Sequence, residues 1–327
     1  MKVPREFYKG PKDIPHEEEL SPGAPLCAGC GGLTTLRLMH KVLGENVVIV
    51  NAAGCMTLMA TYPYSPIRSS WLYTTMGSVA AGAQGIRDAL DIRRAKGKLS
   101  EQDEMKVLVL AGDGSTYDMG LSATSAAIHR RLDFWYLCYD NEAYGNTGFQ
   151  MSSASPFASR TTTSPIGQKE PEGTFQEKKD MFELWRAQKP PYMATVSSHE
   201  VVDLAEKVKR SMAIKGPKLF LALAVCPTGW GFDPRMGDEL AHLAVKTGIW
   251  PLKEAVDGVV RHTLIPSRFL PVEEYLRPQL RFRHLFEPAP HTEAMQAIQQ
   301  KVDRYWEQVR KDEPAASPAL NRGTSGT

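Results

Sequence analysis

A mainly parallel α/β sheet covered by helices on both faces is the fold class this sequence predicts, and three observations predict it. Apolar, β-rich runs at 46–50, 106–111, 134–139 and 218–225 alternate with helix-periodic stretches at 33–43, 75–95, 121–131 and 201–213. Such alternation favours parallel strands joined by crossover helices. Chemistry-bearing residues follow the strand runs directly: Gly54-Cys55, Gly112-Asp113-Gly114, Asp140-Asn141 and Cys226-Pro227. In an open α/β sheet, ligands sit beyond the carboxyl ends of the strands, so these four ends should converge on one site. Finally, 42% of the 327 residues are apolar, enough for one large core or two smaller ones.

Taken in order, residues 1–26 carry Pro4, Pro11, Pro15, Pro22 and Pro25 without periodicity and read as an extended arm lying on this domain or on a partner, with a floppy terminus as the other reading. Residues 27–235 hold the alternating elements and every motif. Within them, 152–176 is rich in Ser, Thr, Pro and Gly and reads as a long loop near the site. From 236 to 327 the periodicity weakens; prolines mix with aromatics and arginines, which suggests an extension wrapping over a neighbouring subunit, with a helix near 294–309 and a disordered last dozen residues.

Charge and hydropathy narrow the function. With 39 basic against 37 acidic residues the net charge is +2, too little for the basic field that nucleic acid requires. No apolar run has signal-peptide form or the 18 residues of a membrane span, so the chain is expected in the cytoplasm. In that reducing compartment five cysteines, two of them in a Cys-x-x-Cys, point to metal or redox chemistry and not to disulfides.

Gly112-Asp113-Gly114 at the end of a strand puts a carboxylate at a sharp turn where small neighbours let backbone amides approach phosphate. Magnesium takes oxygen ligands and keeps diphosphate oxygens in its shell, so the protein need supply only two or three more. The Asn141 side chain, at the end of the next strand run, suits that role. Alone, the tripeptide is a common tight turn; the asparagine, with 26 residues between it and Gly114, makes it more than that.

Cys27 and Cys30 share one tight loop, Cys55 follows 25 residues after Cys30, and Cys226 is distant in sequence. Four soft thiolates suit tetrahedral zinc or a 4Fe-4S cluster, and spacing alone does not choose between them. A thioredoxin-like Cys-x-x-Cys is a third reading. Third and fourth ligands that are singletons at separate strand ends favour a cluster set against the sheet. Cys138 lies inside an apolar run and reads as a core thiol. His40 and His129 read as helix-surface residues without a role.

Gly-Asp-Gly followed by asparagine about 25 to 30 residues on resembles the thiamine diphosphate motif. The surrounding runs, Gly112-Asp113-Gly114-Ser115-Thr116-Tyr117-Asp118-Met119-Gly120 and Tyr139-Asp140-Asn141-Glu142-Ala143-Tyr144-Gly145-Asn146-Thr147-Gly148, resemble the β subunit of the 2-oxoacid:ferredoxin oxidoreductases over roughly residues 20–290. The resemblance implies a thiamine diphosphate-binding fold. It also implies Mg2+ held by Asp113, the Asn141 side chain and the Ala143 carbonyl; Gly112, Gly114, Ser115, Asn146 and Thr147 at the cofactor; and a 4Fe-4S cluster on Cys27, Cys30, Cys55 and Cys226. Thiamine diphosphate supplies the chemistry of 2-oxoacid decarboxylation, and a cluster beside it accepts electrons one at a time. The resemblance implies that coenzyme A then takes the acyl group as a thioester.

The same resemblance makes this chain one half of a catalyst. The activating glutamate is expected on a partner α subunit; Glu142 is the nearest local carboxylate, for which a structural role is favoured. Further clusters, and a flavin if NAD replaces ferredoxin as acceptor, would belong to other subunits. Pyruvate-type relatives commonly carry Phe-Glu-Asn-Ala-Ala where this chain has Thr74-Thr75-Met76-Gly77-Ser78-Val79-Ala80-Ala81-Gly82, a change that could admit a larger acyl group. Phenylglyoxylate is the specific alternative to pyruvate, and Tyr62, Tyr64, Trp71 and Tyr73 are candidate pocket aromatics. Two competing readings are a thiamine-dependent decarboxylase or carboligase with incidental cysteines, and a zinc-stabilised scaffold.

Overall fold

The computed structural model describes residues 6–100, 104–169 and 171–312. In chain order the elements are α1 (Gly31–Leu43), β1 (Val47–Ala52), β2 (Ser70–Thr74), α2 (Val79–Ala95), β3 (Lys106–Gly112), α3 (Leu121–His129), β4 (Trp135–Asp140), α4 (Met181–Arg186), β5 (Tyr192–Ser197), α5 (Val201–Ser211), β6 (Lys218–Leu223), α6 (Pro227–Trp230), α7 (Gly237–Lys246), β7 (Leu252–Val256), β8 (Val259–Leu264), α8 (Val272–Leu276) and α9 (Thr292–Asp312). The eight strands form one sheet in the order β2-β1-β3-β4-β6-β5-β7-β8. Every pairing from β2 to β5 is parallel. β7 and β8 join antiparallel at one edge.

Strand periodicity divides the apolar residues between two cores. Val107, Val109 and Ala111 of β3 and Tyr136 and Cys138 of β4 face one layer; Leu108, Leu110, Trp135, Leu137 and Tyr139 face the other. All these side chains are buried, so the central strands are apolar on both faces and stand out in the sequence.

The stretch after Met236, read from the sequence as an extension wrapping over a neighbouring subunit, builds on this chain's own sheet. β7 and β8 are joined by Asp257-Gly258, both at positive φ (50° and 83°), the geometry of a tight two-residue hairpin. Leu240, Ala241, Leu252, Tyr275, Leu276 and Phe282 enter the same core as β3 and β4. Periodicity hid this segment because its strands bury polar groups: Glu254 is fully buried, accepting from Tyr192 Oη at 2.7 Å and paired with Arg210 at 3.0 Å. The disordered tail expected in the last dozen residues lies outside the described residues.

The proline-rich arm lies on this domain. The Glu206 carboxylate accepts backbone N–H groups of Phe7 and Tyr8 at 2.8 and 2.7 Å, while Tyr8, Ile14 and Leu20 are buried in the α1/α5 layer. Residues 1–5 of the arm lie outside the described residues. His40, expected on a helix surface, is 1% exposed, and its Nε2 lies 2.8 Å from Ser69 Oγ. Burial pushes its pKa down to about 4. His129 is exposed.

Candidate active site at the strand ends

The loops after β1, β3 and β4 meet at the carboxyl end of the sheet, around a cleft of about 160 Å³. Its walls include Cys55, Asp113, Ser115, Tyr139, Asn141 and Thr147. Close backbone approach explains the glycines here. A Cβ at Gly114 would stand 2.2 Å from the Tyr144 ring, and one at Gly120 would stand 2.7 Å from the Ser115 carbonyl. The segment 74–82 does flank this cleft: Ser115 Oγ donates to the Met76 carbonyl at 2.6 Å, and Met76 lines the wall.

Three oxygens converge at the cleft floor. Asn141 Oδ1 lies 2.8 Å from Asp113 Oδ1 and 2.7 Å from the Ala143 carbonyl. Acceptors in such contact repel one another unless a cation sits among them or the amide is turned over to donate to both. The first arrangement is the one a hard divalent ion requires, and it is made by the three groups singled out from the sequence. In the protein alone, burial and then the Asp140 carboxylate push the Asp113 carboxyl well above the usual range, the shift that a bound cation reverses. Ser152 Oγ donates to Asp113 Oδ2 at 2.5 Å and so fixes the carboxylate. Ser152 opens the long loop that the sequence places near the site, although nothing in that loop marked this residue.

The turn that aims Asn141 and Ala143 is held from behind by buried charges. Glu142 between them has φ 65°, a left-handed conformation costly for a side-chain-bearing residue. Its carboxylate lies 2.9 Å from Lys178 Nζ and 2.6 Å from Arg281 Nη2. Lys178 also pairs at 2.8 Å with Asp140, whose carboxylate accepts from Tyr117 Oη at 2.7 Å and from the Glu142 N–H at 3.1 Å. Arg281 stacks 3.9 Å over the Trp230 ring, and Trp230 Nε1 donates to the Asn141 carbonyl at 2.9 Å. Glu142 is thus a brace, engaged by two cations on the far side of the loop from the cleft. Lys178, Arg281 and Trp230 carried no sequence signal; their partners are distant in sequence.

The four thiols gather beside this floor. Cys30 caps α1, whose Gly31 N–H donates to the Val225 carbonyl at 3.0 Å, so the Cys27–Cys30 loop lies against the end of β6 next to Cys226. Gly29, at φ 74°, packs where a Cβ would stand 2.6 Å from the Pro234 carbonyl. Cys226 Sγ accepts from Gly229 N–H at 3.3 Å, and Cys27 Sγ accepts from Thr228 Oγ1 at 3.4 Å. Cys55 Sγ is 3.9 Å from Asn141 Nδ2, which places it at the join between thiols and oxygens. Burial, then the other three cysteines, push the Cys55 thiol up to about 12. Four mutually close thiolates need positive charge among them.

Spacing speaks to what that charge could be. Among the described residues no three of the thiols come within 4.8 Å of one another. Around a single zinc ion, sulfurs at ~2.3 Å from the metal stand roughly 3.8 Å apart. Cys138 is fully buried within β4, away from this set.

Of the candidate aromatics, only Tyr73 lines the cleft. Tyr62 and Tyr64 are 95% and 73% exposed, and Trp71 packs against the α1 layer. Asn146 and Thr147 lie at its exposed rim. Tyr139, not singled out from the sequence, aims a buried hydroxyl that has no hydrogen-bond partner among the described residues into the cleft between the Cys55 and Asp113 loops.

Residues 52–221 match the family model for the C-terminal TPP-binding domain of thiamine pyrophosphate enzymes. Pyruvate synthase subunit PorB of Methanothermobacter thermautotrophicus is 44% identical over 298 residues, 91% of this chain and 99% of the relative. The subunit of the same name from Methanocaldococcus jannaschii is 42% identical over 292 residues, 89% of this chain and 96% of the relative. The chain belongs to the β-subunit family of the 2-oxoacid:ferredoxin oxidoreductases. Another relative, ketoisovalerate oxidoreductase subunit VorB of Pyrococcus horikoshii, is 35% identical and covers 95% of this chain and 98% of its own. The fold is shared with 2-oxoglutarate:ferredoxin oxidoreductase from Magnetococcus marinus, at TM-score 0.53 and 19% identity over 72% of this chain and 82% of that one. Like its family, this β subunit is an oxidoreductase component of a multisubunit complex with a thiamine diphosphate-binding fold. Among the described residues no helix is long and apolar enough to cross a membrane.

Proposed function

We propose that this subunit binds Mg2+-thiamine diphosphate and one 4Fe-4S cluster and, completed by an α subunit, oxidises pyruvate. The overall reaction converts a 2-oxoacid and coenzyme A into acyl-CoA, CO2, a proton and two electrons. The observation that carries the reading is the contact of Cys55 Sγ, 3.9 Å away, with Asn141, one of three oxygen donors converging as a cation needs. A decarboxylase or carboligase would have no use for that adjacency.

In this reading Asp113, the Asn141 side chain and the Ala143 carbonyl hold the magnesium. Gly112, Gly114 and Ser115 admit the diphosphate, Asn146 and Thr147 lie along the cofactor, and the buried Tyr139 hydroxyl finds its missing partner there. When bound, the cofactor supplies the decarboxylation chemistry. Cys27, Cys30, Cys55 and Cys226 hold the cluster, their spacing favouring it over zinc, and the N–H and O–H donors to Cys226 and Cys27 tune it. Glu142 is engaged elsewhere, so the activating carboxylate comes from the α subunit. Electrons leave through clusters on further subunits, to ferredoxin or, through a flavin subunit, to NAD; the compartment is the cytoplasm.

Pyruvate is favoured because relatives of that name match at over 40% identity along nine-tenths of the chain. The altered segment 74–82, which brings Met76 to the wall beside Leu58 and Tyr73, keeps phenylglyoxylate as the second reading. Acyl-CoA formation by the anaerobic complex, assayed with pyruvate, 2-oxoisovalerate and phenylglyoxylate, decides between them. Turnover highest with pyruvate supports the first reading, turnover confined to phenylglyoxylate replaces it, and no acyl-CoA from any of the three overturns the function.

A further inference from the structure

We infer that the turn after β5 and helix α7 form a second metal site, for a divalent first-row transition ion bound by His199, Glu200 and His242. One ring nitrogen of each histidine and a carboxylate oxygen of Glu200 all lie within 4.8 Å of one another. The two imidazoles are tilted at 55° with centroids 4.4 Å apart, so they converge without stacking. Around one tetrahedral ion, donor atoms at 2.0–2.2 Å from the metal stand roughly 3.4 Å apart. Small side-chain rotations close that gap.

Two further contacts have the form of a metal site. His199 Nδ1 lies 3.0 Å from Asp238 Oδ1, the carboxylate-to-histidine contact that orients a ligating ring and leaves its other nitrogen for the ion. His242 Nδ1 is buried and has no hydrogen-bond partner among the described residues. Asp238 and His242 are one helical turn apart on α7, so one helix face presents both the orienting carboxylate and a ligand.

Chemistry sets the class of ion. Two imidazoles and one carboxylate suit zinc, cobalt, nickel or ferrous iron, whereas magnesium and calcium prefer all-oxygen shells. Three protein ligands leave a position for water. The site shares no ligand with the thiols; it lies beyond β5, the strand next to β6, whose end leads to Cys226. Its structural consequence follows from α7, whose first residue, Gly237, packs where a Cβ would stand 3.2 Å from the Gly29 carbonyl of the Cys27–Cys30 loop. An ion here would tie that helix, and the thiol loop resting on it, to the β5–α5 turn.

The test is equilibrium dialysis of zinc against the anaerobically purified, chelator-treated complex, with iron and thiamine measured in the same samples. One zinc per chain should bind beyond the iron. His199→Gln and His242→Gln should weaken it by about tenfold or more, and Asp238→Asn, which leaves all three ligands in place, by about 10- to 100-fold. Unchanged iron and thiamine contents separate these effects from misfolding and from zinc on the thiols. Glu200→Gln, which keeps both imidazoles, repeats the test should a histidine variant lose iron. Zinc binding equal in wild type, His242→Gln and Glu200→Gln, or zinc that disappears only with Cys27→Ser, would overturn the assignment.

Discussion

At the ends of β3 and β4 the Asn141 side-chain amide already lies 2.8 Å from Asp113 Oδ1 and 2.7 Å from the Ala143 carbonyl, whereas among the described residues no three of the thiols beside them come within 4.8 Å of one another. The oxygen half is built by the protein: buried ion pairs fix a left-handed turn, and Ser152 fixes the carboxylate opposite. The thiol half is a frame of three separate loops, with Cys27 exposed and Cys30, Cys55 and Cys226 half-buried. Its spacing must come from whatever fills it. A hard cation gains from donors fixed in advance, since the protein then bears no reorganisation when the ion arrives. A large inorganic group brings its own geometry, and the chain need only supply thiols at the right radius.

If the halves are independent in construction, crossed substitutions should separate them. Asp113→Ala is expected to abolish Mg2+-dependent thiamine diphosphate binding, measured by calorimetry, while iron content stays at the wild-type level. Cys55→Ala should remove the iron and leave diphosphate binding largely intact, and Cys138→Ala should do neither. Loss of both groups in either variant would merge the halves into one unit.

The brace behind the oxygen half should carry folding energy that the thiol half lacks. Lys178→Met leaves Asp140 and Glu142 short of their shared cation, and removing one member of a buried ion network costs about 3–5 kcal/mol. Chemical denaturation of the apo subunit should show that loss, whereas Cys226→Ser should leave apo stability within about 1 kcal/mol. A smaller effect is expected from Ser152→Ala. Losing the bond to Asp113 should cost about 1–3 kcal/mol of ion binding, or roughly tenfold to a hundredfold in Mg2+ affinity, with the cluster's iron unchanged.

Legibility in the sequence follows the same division. β1, β3, β4 and β6 could be read because their side chains are buried on both faces and form unbroken apolar runs. β2 sits at the sheet edge with half-exposed residues, and β7 buries Lys253 and Glu254, so neither showed a run. The candidate ligand motifs were legible because strand ends concentrate ligands in such sheets. Lys178 and Arg281 were not, since their function depends on meeting carboxylates 36 and more residues away, a fact only the fold supplies. His40 was misplaced at the surface because helix periodicity gives a face and not what covers it; the loop carrying Ser69 does.

The most direct measurement is the anaerobic visible spectrum of the co-purified complex, recorded before and after pyruvate is added with coenzyme A. Electrons released next to Cys55 should bleach a broad iron-sulfur band, and Asp113→Ala should keep the band but lose the bleaching. A colourless protein, or a band that none of pyruvate, 2-oxoisovalerate and phenylglyoxylate bleaches, would contradict the pairing of the two halves in one electron-transferring site.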